Sequence, residues 1–147
     1  MNDMHNKAYI FGTIFTLSNK LQMLGDQMDP KLTVKQWMFL AGIVKSNNHS
    51  PTISEVAGLI GSSRQNVKKM AIILEKRGFI SMSKDKRDAR IVRLTLTECC
   101  NKYLKQREQK ENAFIEAIFQ NLGSQDLDLL ARAIRKLDGN VDRILRN

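Results

Sequence analysis

The side chains best suited to chemistry in this chain of 147 residues are basic, and they are concentrated in one segment. Residues 62–93 contain ten Lys or Arg against three Asp or Glu, so this segment carries +7 of the chain's formal net charge of +9. Clustered ammonium and guanidinium groups attract polyanions and bind phosphate. We therefore expect a nucleic acid as the partner, before a membrane surface.

The side chains that enzymes use are also present, but their spacing does not favour catalysis. No nucleophile–base pair, glycine-rich phosphate loop or His/Cys/carboxylate cluster with metal-ligand spacing can be found in the sequence. Asp85 and Asp88 are paired carboxylates, but short acidic side chains favour turns and bind Arg. We expect them to hold Arg87 and Arg90, and we expect neither enzymatic activity nor a cofactor or metal.

Cysteine content and hydropathy indicate the cellular location of the protein. Cys99 and Cys100 are adjacent, so no disulfide framework exists. Neighbouring Cα atoms are about 3.8 Å apart, which is below the Cα–Cα distance of roughly 4.4–6.8 Å in usual disulfides. This geometry favours inert thiols. The alternative is a thiol-based redox sensor at these two residues. No apolar run is long enough to span a bilayer, and the N-terminus lacks the layout of a signal peptide. We therefore expect a single cytoplasmic domain without membrane contact.

Two short helical patterns position the first half of the basic segment. Thr52 begins the first helix, because Glu55 three residues later completes a capping box. Gly61 stands where a helix-turn-helix needs a residue that tolerates positive φ, and Ser62 or Ser63 caps the second helix. The side chains expected to face inward from the first helix are Val56, Ala57, Leu59 and Ile60.

The second helix separates an apolar face from a polar, basic one. At 100° per residue, Val67, Met70, Ala71 and Leu74 converge on the buried side. Gln65, Lys69, Ile72 and Lys76 lie opposite, with Arg64 and Lys68 on the flanks. The helix is therefore expected to present polar and basic side chains outward from a packed support.

A basic β-hairpin is predicted after Gly78, which ends the helix. Residues 79–83 and 91–95 are its β-prone strands, and residues 85–90 supply the turn. Its tip has no core to bury, so phosphate in or beside a minor groove is the expected destination. The cations at this tip are Lys84, Lys86, Arg87 and Arg90.

Helices with apolar seams are expected on both sides of this lobe. A capping box of Thr33 with Gln36 begins a helix whose predicted buried residues include Trp37, Met38, Leu40 and Val44. Thr95 and Glu98 are interpreted as the capping box of a later long helix, and Ser124 as the cap of the last one. The first seam comprises Ile10, Ile14, Leu17, Leu21, Leu24 and Met28, and the last comprises Leu127, Leu130, Ile134, Leu137, Val141 and Ile144. Long seams beside a separate lobe favour a core shared by two subunits.

The chain resembles the MarR family of bacterial transcription regulators over almost its whole length. The residues that carry the resemblance are Leu-Glu-Lys-Arg-Gly-Phe-Ile at 74–80, Asp-Lys-Arg-Asp-Ala-Arg at 85–90 and Leu-Thr-Leu-Thr at 94–97. The resemblance implies a homodimer whose first and last helices interlock, with residues 63–69 in the major groove and Arg87 in the minor groove. It also implies that a small molecule or thiol oxidation causes release of DNA.

The resulting prediction is a mainly α (α+β) protein that binds double-stranded DNA. Residues 33–96 form a winged helix-turn-helix lobe, and residues 1–29 and 97–147 form dimerisation helices. We expect a ligand-responsive repressor, acting as a homodimer on a pseudo-palindromic operator, with Gln65 as the leading base reader. A non-specific architectural DNA-binding protein is the alternative from another class. The residues assigned to DNA are Ser62, Ser63, Arg64, Gln65, Asn66, Lys68, Lys69, Lys84, Lys86, Arg87 and Arg90. Those assigned to dimerisation are Ile10, Ile14, Leu17, Leu127, Leu130, Ile134, Leu137, Val141 and Ile144.

Ile72 departs from the pattern of the family, in which many members have a polar or acidic residue at this point. Together with Ile73 it leaves an apolar spot on the outer side of the second helix. Two destinations are open for Ile72, namely packing on the hairpin or contact with a thymine methyl group.

Overall fold

The computed structural model describes residues 2–147, which form six α-helices and one two-stranded antiparallel sheet. The elements in chain order are α1 (Asp3–Met28), α2 (Val34–Lys45), α3 (Ile53–Ile60), α4 (Arg64–Lys76), β1 (Ile80–Lys84), β2 (Val92–Leu96), α5 (Glu98–Ile118) and α6 (Ser124–Arg146). The chain divides into two compact units at Gln106, one holding α1 to β2 and the start of α5, the other holding the rest of α5 and α6. No helix within residues 2–147 is long and apolar enough to cross a membrane.

Local capping chemistry determines where α2 and α3 begin. Thr33 Oγ1 accepts a hydrogen bond from Gln36 N at 3.2 Å, and Gln36 Oε1 accepts one from Thr33 N at 3.1 Å, so this capping box is confirmed. Thr52 Oγ1 accepts a bond from Glu55 N at 3.1 Å, which is one half of the box expected there. These bonds satisfy backbone N–H groups that have no partner inside the helix.

The turn between α3 and α4 depends on Gly61 and Ser63. Gly61 has a φ of 68°, in the left-handed region that Gly adopts without steric strain, as predicted. Ser63 Oγ accepts a hydrogen bond from Asn66 N at 3.1 Å, so Ser63 rather than Ser62 caps α4. The direction of α4 is thus set by residues next to its first turn.

The hairpin follows directly on α4. Ile80 pairs with Leu96 and Lys84 with Val92 at the two ends of the ladder. β2 also pairs with the loop before α3, since Leu94 N donates to Pro51 O at 2.8 Å. The hairpin is therefore joined by backbone bonds to the helix-turn-helix.

The buried core lies in the first unit, where α2, α3, α4, the hairpin and the start of α5 meet. Its side chains are Leu32, Phe39, Leu40, Ile43, Val56, Ala57, Val67, Ala71, Leu74, Phe79, Ile80, Leu94 and Cys100. Tyr103 on α5 donates a hydrogen bond from its hydroxyl to Asp29 Oδ2 at 2.7 Å, and its ring lies against that of Phe79 at a tilt of 37°, with centroids 5.1 Å apart. α5 is thereby connected to the end of α1 and to the start of the hairpin.

The prediction of which side chains of α2 are buried was partly wrong. Leu40 is buried as expected, but Trp37, Met38 and Val44 are exposed, and Phe39 and Ile43 take the core positions instead. Apolar side chains occur all round α2, so helical periodicity does not select one face. Leu59 on α3 was also expected inside and is exposed.

Two predicted caps lie one or two residues away from the observed ones. Thr95 belongs to β2, and Thr97 caps α5 by accepting a hydrogen bond from Cys100 N at 3.1 Å. Thr97 Oγ1 also donates to Gly78 O at 2.6 Å, a contact that exists only in the folded lobe. Gly123 holds the cap position of α6, and Ser124 is its first helical residue.

Candidate nucleic-acid interface

The outer face of α4 displays polar and basic side chains in a row. Val67, Ala71 and Leu74 are fully buried and anchor the helix on the core. Ser62 is half-buried, and the remaining residues that the sequence predicts for this part of the interface are exposed. These exposed residues are Ser63, Arg64, Gln65, Asn66, Lys68 and Lys69. A rigid support beneath an exposed polar face is what base reading in a groove requires.

Asp85 organises the turn at the tip of the hairpin. Its Oδ2 accepts hydrogen bonds from the backbone N–H groups of Arg87 and Asp88, both at 3.0 Å. Its Oδ1 accepts a bond from Arg93 Nε at 2.6 Å. The bond from Arg93 and then the two backbone bonds hold the pKa of Asp85 below its ordinary value. Asp85 thus holds Arg87 in the turn as expected, through the Arg87 backbone N–H, and the guanidinium that it binds is that of Arg93.

Asp88 binds Arg90, as the sequence predicted. Arg90 donates from Nε to Asp88 Oδ1 and from Nη2 to Asp88 Oδ2, both at 3.0 Å, in a bidentate arrangement. This bond, together with one from the Arg90 backbone N–H, lowers the pKa of Asp88, and the same side-chain bond raises the pKa of Arg90. Arg90 therefore reaches solvent with part of its guanidinium already occupied.

Three further cations of the hairpin are exposed. The side chains of Lys84, Lys86 and Arg87 make no hydrogen bond or ion pair with residues 2–147. Their charge is therefore available to an external anion. The backbone of Arg87 is fixed through Asp85, while its side chain is left to reach outward.

A cleft separates α4 from the hairpin and continues to the start of α3. Its volume is about 600 Å³, and its cations are Arg64, Lys68 and Arg90. The full lining is Thr52, Ile53, Ser54, Arg64, Gln65, Lys68, Arg90, Ile91 and Val92, which includes no carboxylate. Thr52 and Ser54 line this cleft but were not among the residues predicted for DNA, because their spacing marked them only as part of a capping box. Hydroxyl groups among three cations suit a phosphate oxygen.

Two of the ten basic side chains in residues 62–93 are used inside the lobe instead. The guanidinium of Arg77 lies 4.8 Å from the ring centroid of Phe79 and donates to Gln36 Oε1 at 3.2 Å. Arg93 binds Asp85 and also donates from Nη1 to Ser50 O at 2.9 Å. The count of basic residues in the sequence thus overstates the charge that faces outward.

The two cysteines occupy different environments in the first turn of α5. Cys99 is exposed and Cys100 is fully buried, so only one of the two faces solvent. Burial, and to a smaller extent the neighbouring Cys99, raises the pKa of Cys100 to about 11. The buried thiol is therefore protonated at neutral pH and is not a nucleophile.

The residues predicted for dimerisation form apolar stripes on α1 and α6. All nine are exposed in the single chain, from 38% at Leu127 to 68% at Ile144. Phe11 and Phe15 extend the stripe on α1, with their rings packed edge to face at a centroid distance of 5.1 Å. Apolar stripes of this length need a partner surface.

Comparison with known proteins assigns the fold and the family. The model of the MarR family matches residues 32–92. The transcriptional repressor MprA of Escherichia coli is 30% identical over 130 residues, which cover 87% of this chain and 71% of MprA. A MarR protein from Peptoclostridium difficile superposes with a TM-score of 0.80 at 24% identity, covering 91% of this chain and 88% of that one.

A third similar structure is that of a protein whose DNA binding is regulated by a small molecule. BpsR of Bordetella bronchiseptica, whose DNA binding is regulated by 6-hydroxynicotinic acid, superposes with a TM-score of 0.74 at 18% identity and covers 86% of this chain and 91% of its own. The helix-turn-helix with its basic hairpin, the family match and the similarity to MprA agree, and the chain belongs to the MarR family of DNA-binding transcriptional regulators.

Proposed function

We propose that this protein is a cytoplasmic homodimeric repressor that binds a pseudo-palindromic operator and releases it when a small molecule binds. The observation that carries the proposal is the common surface of α4 and the hairpin. Exposed polar side chains on α4 and unpaired cations on the hairpin belong to one lobe with one core. This arrangement supports simultaneous contact with a major groove and with the adjacent phosphates.

The proposed roles of the side chains follow from their chemistry. Gln65 is exposed on α4, and its amide can form a bidentate pair with adenine. Arg64, Lys68 and Lys69 reach guanine edges or phosphates from the same helix. Arg87 reaches the minor groove, since its side chain is free while Asp85 fixes its backbone.

Homodimer formation is supported by the exposed stripes on α1 and α6. Six side chains repeat at intervals of three and four residues along most of α6, and each of them is exposed in the single chain. A two-fold partner would bury both stripes and join two winged lobes. Two recognition helices about 34–36 Å apart would then meet successive major grooves on one side of the duplex.

Control by a small molecule is proposed from the relatives. BpsR is regulated by 6-hydroxynicotinic acid, and MprA is a transcriptional repressor. A ligand that binds the DNA-free conformation better than the DNA-bound one lowers the affinity for the operator. At saturation, the factor equals the ratio of the ligand's affinities for the two conformations.

Selection of bound sequences from a pool of random duplexes tests the proposal. We expect an inverted repeat to emerge, with affinity roughly a thousandfold or more above that for a shuffled duplex at the same salt concentration. Analytical ultracentrifugation of the complex should give two chains per selected duplex. A pool without a consensus, or a preference below roughly tenfold, would instead indicate an architectural protein that binds through phosphate contacts alone.

A further inference from the structure

Ile72 is an apolar side chain on the outward face of α4, the helix that we propose enters the major groove. It is 41% exposed. At 100° per residue it lies on the same face as Gln65, Lys69 and Lys76, opposite the buried Val67 and Leu74. A sec-butyl group is thus displayed next to Lys69 and Lys76, on the surface that we propose for DNA.

Ile72 keeps a large accessible surface in the folded lobe. The cleft between α4 and the hairpin is lined on the α4 side by Arg64, Gln65 and Lys68, and Ile72 does not line it. Nor does Ile72 belong to the half-buried apolar side chains that pack against the core. The exposed part of Ile72 therefore remains accessible to a ligand on the outer side of α4.

Its neighbour Ile73 points in another direction. Ile73 lines a separate cavity together with Met38 of α2 and Met70 of α4. Ile72 is therefore the apolar side chain of α4 whose position continues the row of Gln65 and Lys69 along the helix.

We propose that Ile72 contacts the C5 methyl group of a thymine in each half of the operator and so contributes to its sequence specificity. The thymine methyl is the large apolar group at the base edges of the major groove, where the other distinguishing groups are hydrogen-bond donors and acceptors. An aliphatic side chain that gains nothing from those polar edges gains apolar burial against the methyl. The proposal rests on operator binding through α4.

The geometry of the helix predicts where this thymine lies. Ile72 follows Gln65 by two turns, which corresponds to about 10.5 Å along the helix axis at about 1.5 Å per residue. Successive base pairs are about 3.4 Å apart along the duplex. Because a helix in the major groove runs at an angle to the duplex axis, this length covers fewer base-pair steps than a parallel helix would, and the thymine should lie about two base pairs from the position that Gln65 reads in the same half-site.

Replacement of single thymines by deoxyuridine tests the contact, because it removes only the methyl group. Each thymine of the selected operator is replaced in turn, and affinity is measured for the parent protein and for Ile72→Ala, Ile72→Val and Ile73→Ala. For the parent, deoxyuridine at one position per half-site should lower affinity roughly fourfold for each half-site, as expected for the loss of one buried methyl group. Ile72→Ala should bind the thymine and deoxyuridine duplexes equally well, whereas Ile72→Val should retain most of the difference.

Ile73→Ala is the matched control, since it removes the same atoms from the adjacent exposed residue and should keep the full penalty for deoxyuridine. The assignment is wrong if no thymine is sensitive to loss of its methyl group, or if Ile72→Ala keeps the sensitivity of the parent. A parent protein without any preference for the selected duplex would contradict the proposed function itself. The two failures are therefore distinguishable in one set of titrations.

Discussion

The guanidinium of Arg93 joins the tip of the hairpin to the helix-turn-helix through Asp85. Arg93 Nε lies 2.6 Å from Asp85 Oδ1 at the first residue of the tip, and Arg93 Nη1 lies 2.9 Å from Ser50 O in the loop before α3. Asp85 in turn accepts the N–H groups of Arg87 and Asp88. The Arg93 side chain thereby connects the turn that holds the Arg87 backbone to the loop before α3.

Arg93→Met is expected to weaken the binding of all duplexes, because the tip that presents Arg87 loses its connection to the lobe. We expect affinity for operator and shuffled duplexes to fall by a similar factor, roughly three- to tenfold, since the hairpin contacts carry little base information. Fluorescence anisotropy at one salt concentration measures this. Arg93→Lys keeps the charge without the fork of donors and should lie between the parent and Arg93→Met.

Hydrogen exchange separates this positioning role from a simple loss of charge. The amides of Arg87 and Asp88 should exchange faster in Arg93→Met than in the parent, since both depend on a correctly placed Asp85 carboxylate. Arg135→Met on α6 removes the same charge and should change neither the exchange of these amides nor the affinity for either duplex. Unchanged exchange in Arg93→Met would show that Asp85 holds the turn without Arg93.

Gln65→Ala and Arg87→Ala should produce opposite patterns of loss. Gln65→Ala removes a base contact, so it should relax preference at one position per half-site and lower affinity there by about 1–3 kcal/mol. Arg87→Ala removes a contact with the DNA backbone or the minor groove, so it should lower the affinity for all duplexes evenly. The slope of log affinity against log salt concentration should decrease in magnitude by about one unit. Repeating the selection with each variant checks both. Equal losses on operator and shuffled duplexes for Gln65→Ala would exclude Gln65 as a base reader.

A charge within the stripe of α6 should separate the subunits. Ile134→Glu places a carboxylate where we expect a dry interface, so sedimentation at micromolar concentration should show a monomer that has lost tight operator binding. Deletion of residues 124–147 should have the same effect, because it removes the whole stripe. Arg135→Glu, which lies 100° further round the same helix, is the control and should remain a dimer. A parent protein that sediments as a monomer would exclude the shared core.

The thiols should not act as a redox switch. Cys100 has a pKa of about 11, so roughly one molecule in ten thousand carries the thiolate at pH 7. Mild peroxide should therefore leave operator binding unchanged, and Cys99→Ser and Cys100→Ala should bind as the parent does. Ala is chosen at position 100 because Cys100 is fully buried among apolar residues, where a Ser hydroxyl would lack a partner. Loss of binding that dithiothreitol reverses, and that Cys99→Ser abolishes, would make Cys99 a sensor.

The same burial predicts a loss of stability at alkaline pH. The pKa of Cys100 is about 11 in the folded chain, against an ordinary value of about 8.5 for an unfolded one. The folded state retains this proton longer, so the contribution to stability is present below pH 8.5 and is lost as pH rises towards 11. The slope from this one group reaches about 1.4 kcal/mol per pH unit. Urea unfolding between pH 8 and 10.5 should show a steeper decline for the parent than for Cys100→Ala, and identical slopes would contradict the assignment.

Features decided by neighbouring residues were predictable from the sequence. Gly61, the Thr33–Gln36 capping box and the Asp88–Arg90 pair each involve residues at most three positions apart, so backbone conformation and short side chains determine them. The outward face of α4 was equally predictable, because Val67, Ala71 and Leu74 leave one apolar side and the helical period then places Gln65 and Lys69 opposite.

Tertiary structure decided the features that depend on residues far apart in the chain. Asp85 could have bound several nearby cations, and the register of β1 against β2 brings Arg93 to it across the hairpin. Trp37 and Phe39 are both apolar residues of α2, and only the packing of α3, α4 and β2 against one side buries Phe39 and leaves Trp37 exposed. Thr97, not Thr95, caps α5, because two more residues of the strand pair with β1 before the chain can turn into a helix. Composition and periodicity are local or averaged quantities, so they cannot specify which of several suitable partners the folded chain brings together.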